Sequence, residues 1–187
     1  IMIDDAHGLG VLGETGRGTA EHFGLMGEVD IIMGTFSKSL ASLGGFMVAK
    51  ADVINYVKHT SRPFIFSASI PPANVAAALC ALNILKKEPE RVRSVNAVAD
   101  YMKELMKKNG IPLRETRTPI IPVMTYDDMR TFKICKELLE EGVYVNPTIS
   151  PAVPQGQSMI RTSYTATHTR ELMDEAIEKF VKVFSKY

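Results

Sequence analysis

Lys38 lies in a short polar segment whose residue types could bind a phosphorylated cofactor. The lysine is flanked by Ser37 and Ser39, follows the apolar run 31–36, and precedes two glycines at 44–45. A lysine at the rim of a sheet, once partly desolvated, presents a neutral amine that can form a Schiff base with a carbonyl. Nearby hydroxyl and backbone N–H groups can hold a phosphate. The same composition also fits a surface lysine in a polar turn.

Two acids and a histidine follow the first apolar run. Asp4 and Asp5 come directly after residues 1–3, and His7 lies two positions further on. Ligands of α/β sheets bind at strand carboxyl ends, where an aspartate can hold the protonated ring nitrogen of pyridoxal phosphate (PLP) and a histidine can contact the ring or its oxygen. The alternatives are a metal site or a capping aspartate beside a turn histidine. We expect no metal, because the other histidines show no ligand spacing with His7.

The composition is that of an ordinary globular protein. Of the 187 residues, 45% are hydrophobic and 23% are charged, and the formal net charge is +1. This balance gives no electrostatic case for binding nucleic acid or an anionic membrane. Two cysteines, Cys80 and Cys135, are too few for a disulfide framework, so a cytoplasmic location is expected. No apolar run approaches the roughly 18 residues of a transmembrane helix.

Apolar periodicity divides the chain into an α/β part and an α+β part, with the boundary near residue 90. Apolar runs without alternation predict strands buried on both faces, at 1–3, 31–36, 46–49 and 64–67. Further patterns predict helices at 73–86, 89–110, 128–142 and from 169 onward, and strands at 120–125 and 159–163. Because the run 1–3 has the character of a buried strand end, we expect the chain to be the C-terminal part of a longer protein.

Two of these helices carry an apolar stripe that predicts which side faces a core. In the helix at 128–142 the predicted inner residues are Phe132, Cys135, Leu138 and Leu139. In the last helix they are Leu172, Ala176, Phe180, Val183 and Phe184.

Three motifs together resemble the α-oxoamine synthase family. They are Asp4-Asp5-Ala6-His7-Gly8, the segment Gly-Glu-Thr-Gly-Arg-Gly at 13–18, and Thr35-Phe36-Ser37-Lys38. Segments 62–72, 144–147, 151–154 and 160–163 are similar to bacterial serine palmitoyltransferases, and the resemblance extends to 8-amino-7-oxononanoate synthases. It implies the α/β fold of PLP-dependent transferases of fold type I. Residues 1–90 would then be the C-terminal portion of the PLP-binding large domain, with a mostly parallel sheet and a connecting helix, and 91–187 a small α+β domain.

The resemblance implies catalytic roles for three residues of these motifs. Lys38 would carry the cofactor as a Schiff base and move the substrate's α-proton. Asp4 would pair with the ring nitrogen of PLP, and His7 would contact the ring oxygen. Asp5 would have a lesser role, although the sequence leaves the reverse assignment of the two acids open.

The resemblance also implies binding roles for four residues. Thr35 and Ser37 would help hold the cofactor phosphate. Ser67 would reach the phosphate of the partner subunit's cofactor in a homodimer whose active site lies at the subunit interface. Arg161 would bind the amino-acid carboxylate, because its planar fork suits bidentate recognition. Without the resemblance, Arg161 would be interpreted as a strand-edge charge and Ser67 as a strand-end hydroxyl.

The implied reaction is a PLP-dependent acyl transfer. An α-amino acid would condense with an acyl-CoA thioester and lose CO₂, with release of CoA. Serine with palmitoyl-CoA, as in sphingolipid biosynthesis, is the first expectation. Alanine with pimeloyl-CoA, as in biotin biosynthesis, is the second, and glycine with acetyl-CoA, as in 2-amino-3-ketobutyrate CoA ligase, is the third. Two non-catalytic alternatives stay open: a pseudoenzyme subunit, although such subunits lack the Schiff-base lysine, and a structural fragment that is inactive alone.

Overall fold

A computed structural model describes the chain over residues 1–187. The chain divides into two compact units, Ile1–Arg93 (unit 1) and Ser94–Tyr187 (unit 2). No helix is both long enough and apolar enough to cross a membrane.

Unit 1 contains a three-stranded sheet in the order β1-β2-β3. Strand β1 (Met2–Asp4) runs parallel to β2 (Ile31–Thr35), and β2 runs antiparallel to β3 (Gly45–Ala49). The helices are α1 (Thr19–His22), α2 (Ala51–Thr60), α3 (Arg62–Ile65) and α4 (Pro72–Lys87), and α5 (Glu90–Lys108) begins in this unit and continues into the next. Within these residues the sheet therefore has one parallel and one antiparallel pairing.

A glycine near the end of β2 accommodates an aromatic ring from β3. Gly34 and Phe46 are register partners, and a Cβ on Gly34 would lie 2.5 Å from the Phe46 ring. The same ring stacks on Phe36, with 5.7 Å between ring centroids. A one-residue slip would remove this fit, so the glycine and the ring favour one register of β2 against β3.

Unit 2 is an antiparallel sheet packed with helices around its own core. The sheet order is β4-β6-β5, formed by β4 (Ile120–Tyr126), β5 (Asn146–Thr148) and β6 (Ser158–Ser163). Helix α6 (Asp128–Glu140) begins where the Asp127 side chain accepts a hydrogen bond from the Arg130 N–H, and α7 (Arg170–Phe184) begins in the same way with Thr169 and Leu172. Such caps satisfy N–H groups that have no partner inside the helix.

Most predicted elements are present, but one predicted strand is a helix. The expected strands at 1–3, 31–36, 46–49, 120–125 and 159–163 coincide with β1, β2, β3, β4 and β6 within a residue or so of their ends. The strand predicted at 64–67 is wrong, because Arg62–Ile65 forms α3 with Pro63 in its first turn, a position that proline favours. Helices α1 and α2 and strand β5 were not predicted.

The predicted burial was wrong at several positions. Strands β1 and β3 are not covered on both faces, since Met2 is 65% exposed and Val48 is 54% exposed. On α6 the buried residues are Thr131, Ile134 and Leu138, while Phe132 and Leu139 face outward. On α7 the buried stripe contains Met173 and Ile177 in place of Leu172, together with the expected Phe180 and Val183. The α6 stripe therefore follows the i, i+3, i+7 rule, but from a different starting residue.

Candidate active site

The parallel pairing of β1 and β2 places both chemical motifs at one edge of the unit 1 sheet. Asp4 ends β1 and is the register partner of Met33, and β2 ends two residues later at Thr35. The carboxyl ends of parallel strands lie at the same edge, where ligands of α/β sheets bind. Asp4 and the segments that carry His7 and Lys38 therefore leave the sheet on the same side.

Lys38 is carried by a loop that is closed at its base. The Phe36 N–H donates to the Gly44 carbonyl at 2.9 Å, and the Ser42 N–H donates back to the Phe36 carbonyl at 2.7 Å. The Ser42 hydroxyl also donates to the Asn74 carbonyl at 2.6 Å, which ties the loop to α4. The Lys38 side chain is exposed among the residues of unit 1.

The hydroxyls beside the lysine differ in how firmly they are held. Thr35 Oγ1 donates to the Gly44 carbonyl at 3.0 Å and accepts the Ser37 N–H at 3.2 Å. Its contact with Ser37 Oγ, at 2.8 Å, is therefore donated by the serine. Ser37 and Ser39 are exposed on either side of Lys38. Thr35 thus serves loop closure first, while Ser37 can turn its hydroxyl toward an anion.

The two adjacent acids have different environments. Asp5 is 3% exposed, and its carboxylate accepts the Thr19 hydroxyl at 2.7 Å and the Thr19 N–H at 2.9 Å. A Cβ on Gly8 or Gly18 would lie 1.8 Å or 1.9 Å from that carboxylate, so both glycines are required for the loop to close around it. Asp4 is exposed, and its Oδ1 accepts only the nearby Ala6 N–H at 3.0 Å. Asp5 stabilises the loop through its hydrogen bonds with Thr19, whereas Asp4 can bind a ligand.

The glycine-rich segment that follows His7 contacts the Lys38 loop. A Cβ on Gly10 would lie 2.5 Å from the Ser39 Cβ, and no side chain other than hydrogen fits there. His7 itself is exposed at the start of this segment. The segment that follows His7 therefore lies directly against the residue that follows Lys38, so the two motifs are followed by segments in contact.

Glu21 holds the 13–18 segment in place, a role that the sequence analysis missed. Its carboxylate accepts the Thr15 hydroxyl at 2.7 Å and the Arg17 N–H at 2.9 Å. Burial tends to raise the pKa of Glu21, but the hydrogen bonds from Thr15 and Arg17 and the Arg17 charge lower this pKa overall. The sequence signal was a glutamate just beyond a run of glycines, which is too common to be informative by itself.

The remaining predicted residues lie elsewhere. Ser67 is exposed just beyond α3, and its hydroxyl donates to the Pro63 carbonyl. Arg161 belongs to unit 2, where it is half-buried on β6 between the register partners Pro122 and Asn146. The structure thus assembles Asp4, His7 and the Lys38 loop in one unit and places Arg161 in the other.

Comparison with known proteins gives matches along the whole chain. Residues 1–180 match the family model for aminotransferase class I and II. The serine palmitoyltransferase of Sphingobacterium spiritivorum is 52% identical over 186 residues, which cover 100% of this chain and 47% of that protein. The 8-amino-7-oxononanoate synthase of Thermosipho melanesiensis is 48% identical over 186 residues, covering 100% of this chain and 48% of that protein.

Solved structures also match over nearly the whole chain. A serine palmitoyltransferase structure described as holding a PLP internal aldimine has a TM-score of 0.93 and 34% identity, covering 99% of this chain and 47% of that one. The Sphingomonas wittichii serine palmitoyltransferase has a TM-score of 0.93 and 32% identity, covering 100% of this chain and 47% of that one. The chain thus spans about half the length of the relatives that it matches.

Proposed function

Because the chain belongs to the aminotransferase class I and II family, we propose that the protein carrying it is a PLP-dependent α-oxoamine synthase. The resemblance indicated by the motifs is confirmed by relatives named serine palmitoyltransferase and 8-amino-7-oxononanoate synthase. The structural matches confirm the expected α/β fold of PLP-dependent transferases of fold type I. The proposed reaction is the decarboxylative condensation of an α-amino acid with an acyl-CoA.

The residues at the edge of the unit 1 sheet fit pyridoxal phosphate. Lys38 offers an exposed amine, Ser37 an exposed hydroxyl, and Asp4 a carboxylate with acceptor capacity beyond its bond from the Ala6 N–H. When bound, PLP supplies an electron sink for the α-carbon of an amino acid. The juxtaposition of Asp4, the 8–18 segment and the Lys38 loop is the single observation that carries the proposal.

Each residue has a defined task in this proposal. Lys38 would bind the cofactor carbonyl through Nζ and later accept the α-proton at the same atom. Asp4 would keep a proton on the ring nitrogen, and His7 would donate to the ring oxygen. Groups outside unit 1 would supply the desolvation of Lys38, since the side chain is exposed here.

Phosphate and substrate contacts complete the proposed site. Ser37 and Thr35 would hold the phosphate, with Ser67 serving the cofactor of the partner subunit in a homodimer. Arg161 would bind the substrate carboxylate. Unit 1 would be the C-terminal part of the PLP-binding large domain and unit 2 the small domain, in a cytoplasmic enzyme.

Serine with palmitoyl-CoA is the favoured substrate pair, because relatives named serine palmitoyltransferase reach 52% identity. Alanine with pimeloyl-CoA is the second candidate, supported by the 48% identity to a protein named 8-amino-7-oxononanoate synthase.

The test is covalent trapping of the cofactor. The complete polypeptide that carries this chain would be incubated with PLP, reduced with borohydride, digested and analysed by mass spectrometry. We expect a pyridoxyl adduct on Lys38 in the wild type and in the control Lys50→Ala, and none at this position in Lys38→Ala. Absorbance changes on adding serine, alanine or glycine would then identify the amino acid. A wild-type protein with no adduct, or with the adduct on another lysine, would exclude the proposal and favour a non-catalytic subunit.

A further inference from the structure

The sheet of unit 2 places an asparagine directly beside Arg161. Asn146 on β5 is the register partner of Arg161 on β6. Directly opposed residues of an antiparallel pair project from the same face, with Cβ atoms about 5 Å apart. Asn146 is exposed and Arg161 is half-buried. Both side chains can therefore contact the same small ligand group on that face of the sheet.

A tyrosine two residues earlier sets the orientation of this amide. The Tyr144 hydroxyl donates to Asn146 Oδ1 at 3.1 Å. With the amide oxygen used as an acceptor for Tyr144, the Asn146 NH₂ group provides the donors on the side away from the tyrosine. Donor N–H groups beside a guanidinium suit an anion, and they disfavour a cation at the same place.

We propose that Asn146 binds the same amino-acid carboxylate as Arg161, as a second and uncharged donor. This inference rests on the proposed function, in which Arg161 binds that carboxylate. An ionised carboxylate has about four lone-pair sites, and a bidentate guanidinium uses two of them. The Asn146 N–H groups donate to one of the remaining lone-pair sites. This additional hydrogen bond fixes the rotational orientation of the carboxylate, which electrostatic attraction to the guanidinium alone would not do.

A purely structural role for Asn146 makes a different prediction. If the asparagine only supports the β5 edge or Tyr144, its replacement lowers thermal stability and affects all ligands alike. If it binds the carboxylate, its replacement lowers the affinity for an amino acid and leaves the affinity for the corresponding amine unchanged. Serine and ethanolamine form such a pair because they differ only in the carboxylate, and alanine and ethylamine form another.

The experiment is calorimetric titration of the PLP-loaded complete polypeptide with each pair. For Asn146→Ala we expect serine affinity to fall about tenfold, the effect of one lost hydrogen bond to a charged group, with ethanolamine affinity unchanged. Asn146→Asp keeps the side-chain volume and places a like charge beside the carboxylate, so we expect a loss on the order of a hundredfold. Tyr144→Phe should lower serine affinity by roughly two- to fivefold.

Two further variants separate this inference from the proposed function. The control Asn109→Ala removes an exposed amide at the end of α5, which donates to the Leu105 carbonyl, and should leave serine affinity unchanged. Arg161→Ala should lose the difference between serine and ethanolamine. If Arg161→Ala loses it while both Asn146 variants match the wild type, the inference fails and the proposed function stands. If neither Arg161→Ala nor the Asn146 variants change serine affinity, the carboxylate site and the inference both fail.

Discussion

The two units of this chain bury their apolar side chains to very different extents. The hydrophobic core cluster lies entirely in unit 2, where Ile121, Ile160 and Val183 are each 0% exposed. In unit 1, large apolar side chains such as Met2 and Phe66 are 65% and 79% exposed. The lysine and the aspartate of the candidate site belong to the unit that lacks a comparable core.

This difference indicates that unit 1 needs contacts with other protein surface to bury its apolar side chains, whereas unit 2 does not. Contiguous exposed apolar side chains are rare on isolated proteins and mark surfaces that contact another element. The aromatic and aliphatic residues 64–66 of unit 1 are all exposed. They form an apolar surface of the kind that packs against another protein element. Unit 2 completes its core with its own residues, so it should be the more independent of the two.

The largest expected effect comes from separating the units. A fragment 90–187, which keeps α5 whole, should unfold cooperatively, while a fragment 1–89 should show no cooperative transition because it buries too little apolar surface. Thermal melts followed by circular dichroism would measure both. A cooperatively folded 1–89 fragment would contradict the comparison.

A buried phenylalanine of unit 2 and an exposed phenylalanine of unit 1 test the same difference in burial. Phe180 is 2% exposed in the core of unit 2, and Phe66 is 79% exposed in unit 1. Phe180→Ala should cost about 3–5 kcal/mol of unfolding free energy. Phe66→Ala should change it by less than about 0.5 kcal/mol when measured on this chain. Urea unfolding gives both values, and equal costs would argue against the burial described here.

The adjacent acids provide a test within unit 1. Asp5→Ala should cost about 1–3 kcal/mol, because the Thr19 N–H and hydroxyl lose their buried acceptor. Asp4→Ala should leave unfolding nearly unchanged and instead weaken retention of PLP. Urea unfolding and cofactor titration of the complete polypeptide measure the two effects. The reverse pattern would exchange the roles of the two residues.

The smallest expected effect is a pH dependence at Glu21. The fold lowers the pKa of this carboxyl below its ordinary value of 4.5, so its ionised form stabilises the 13–18 segment. That contribution is complete above pH 4.5 and is lost as the pH falls through the lower pKa of the folded state. Glu21→Gln should be less stable than the wild type at neutral pH, and the difference should vanish at low pH. A constant difference across the acid range would contradict this assignment.

Local patterns determined much of this protein from the sequence alone. A lysine among hydroxyls, an Asp-Asp-Ala-His run and a glycine-rich segment were sufficient to predict the cofactor chemistry and the family resemblance. Periodicity located α5, β4 and β6, because hydrophobic spacing is set by each element's own geometry. The same local reasoning failed at 64–67, where aromatic residues suggested a strand but Arg62–Ile65 forms a short helix with Pro63 in its first turn.

Only the tertiary structure decided the properties that depend on distant partners. Thr19, which lies 14 residues from Asp5 in the chain, decides which of the two acids has the structural role. Which residue lies beside Arg161 depends on the register between β5 and β6, and which face of α6 is buried depends on the sheet that it packs against. Periodicity shows that a stripe exists, but long-range pairing and packing decide where that stripe points and which groups it brings together.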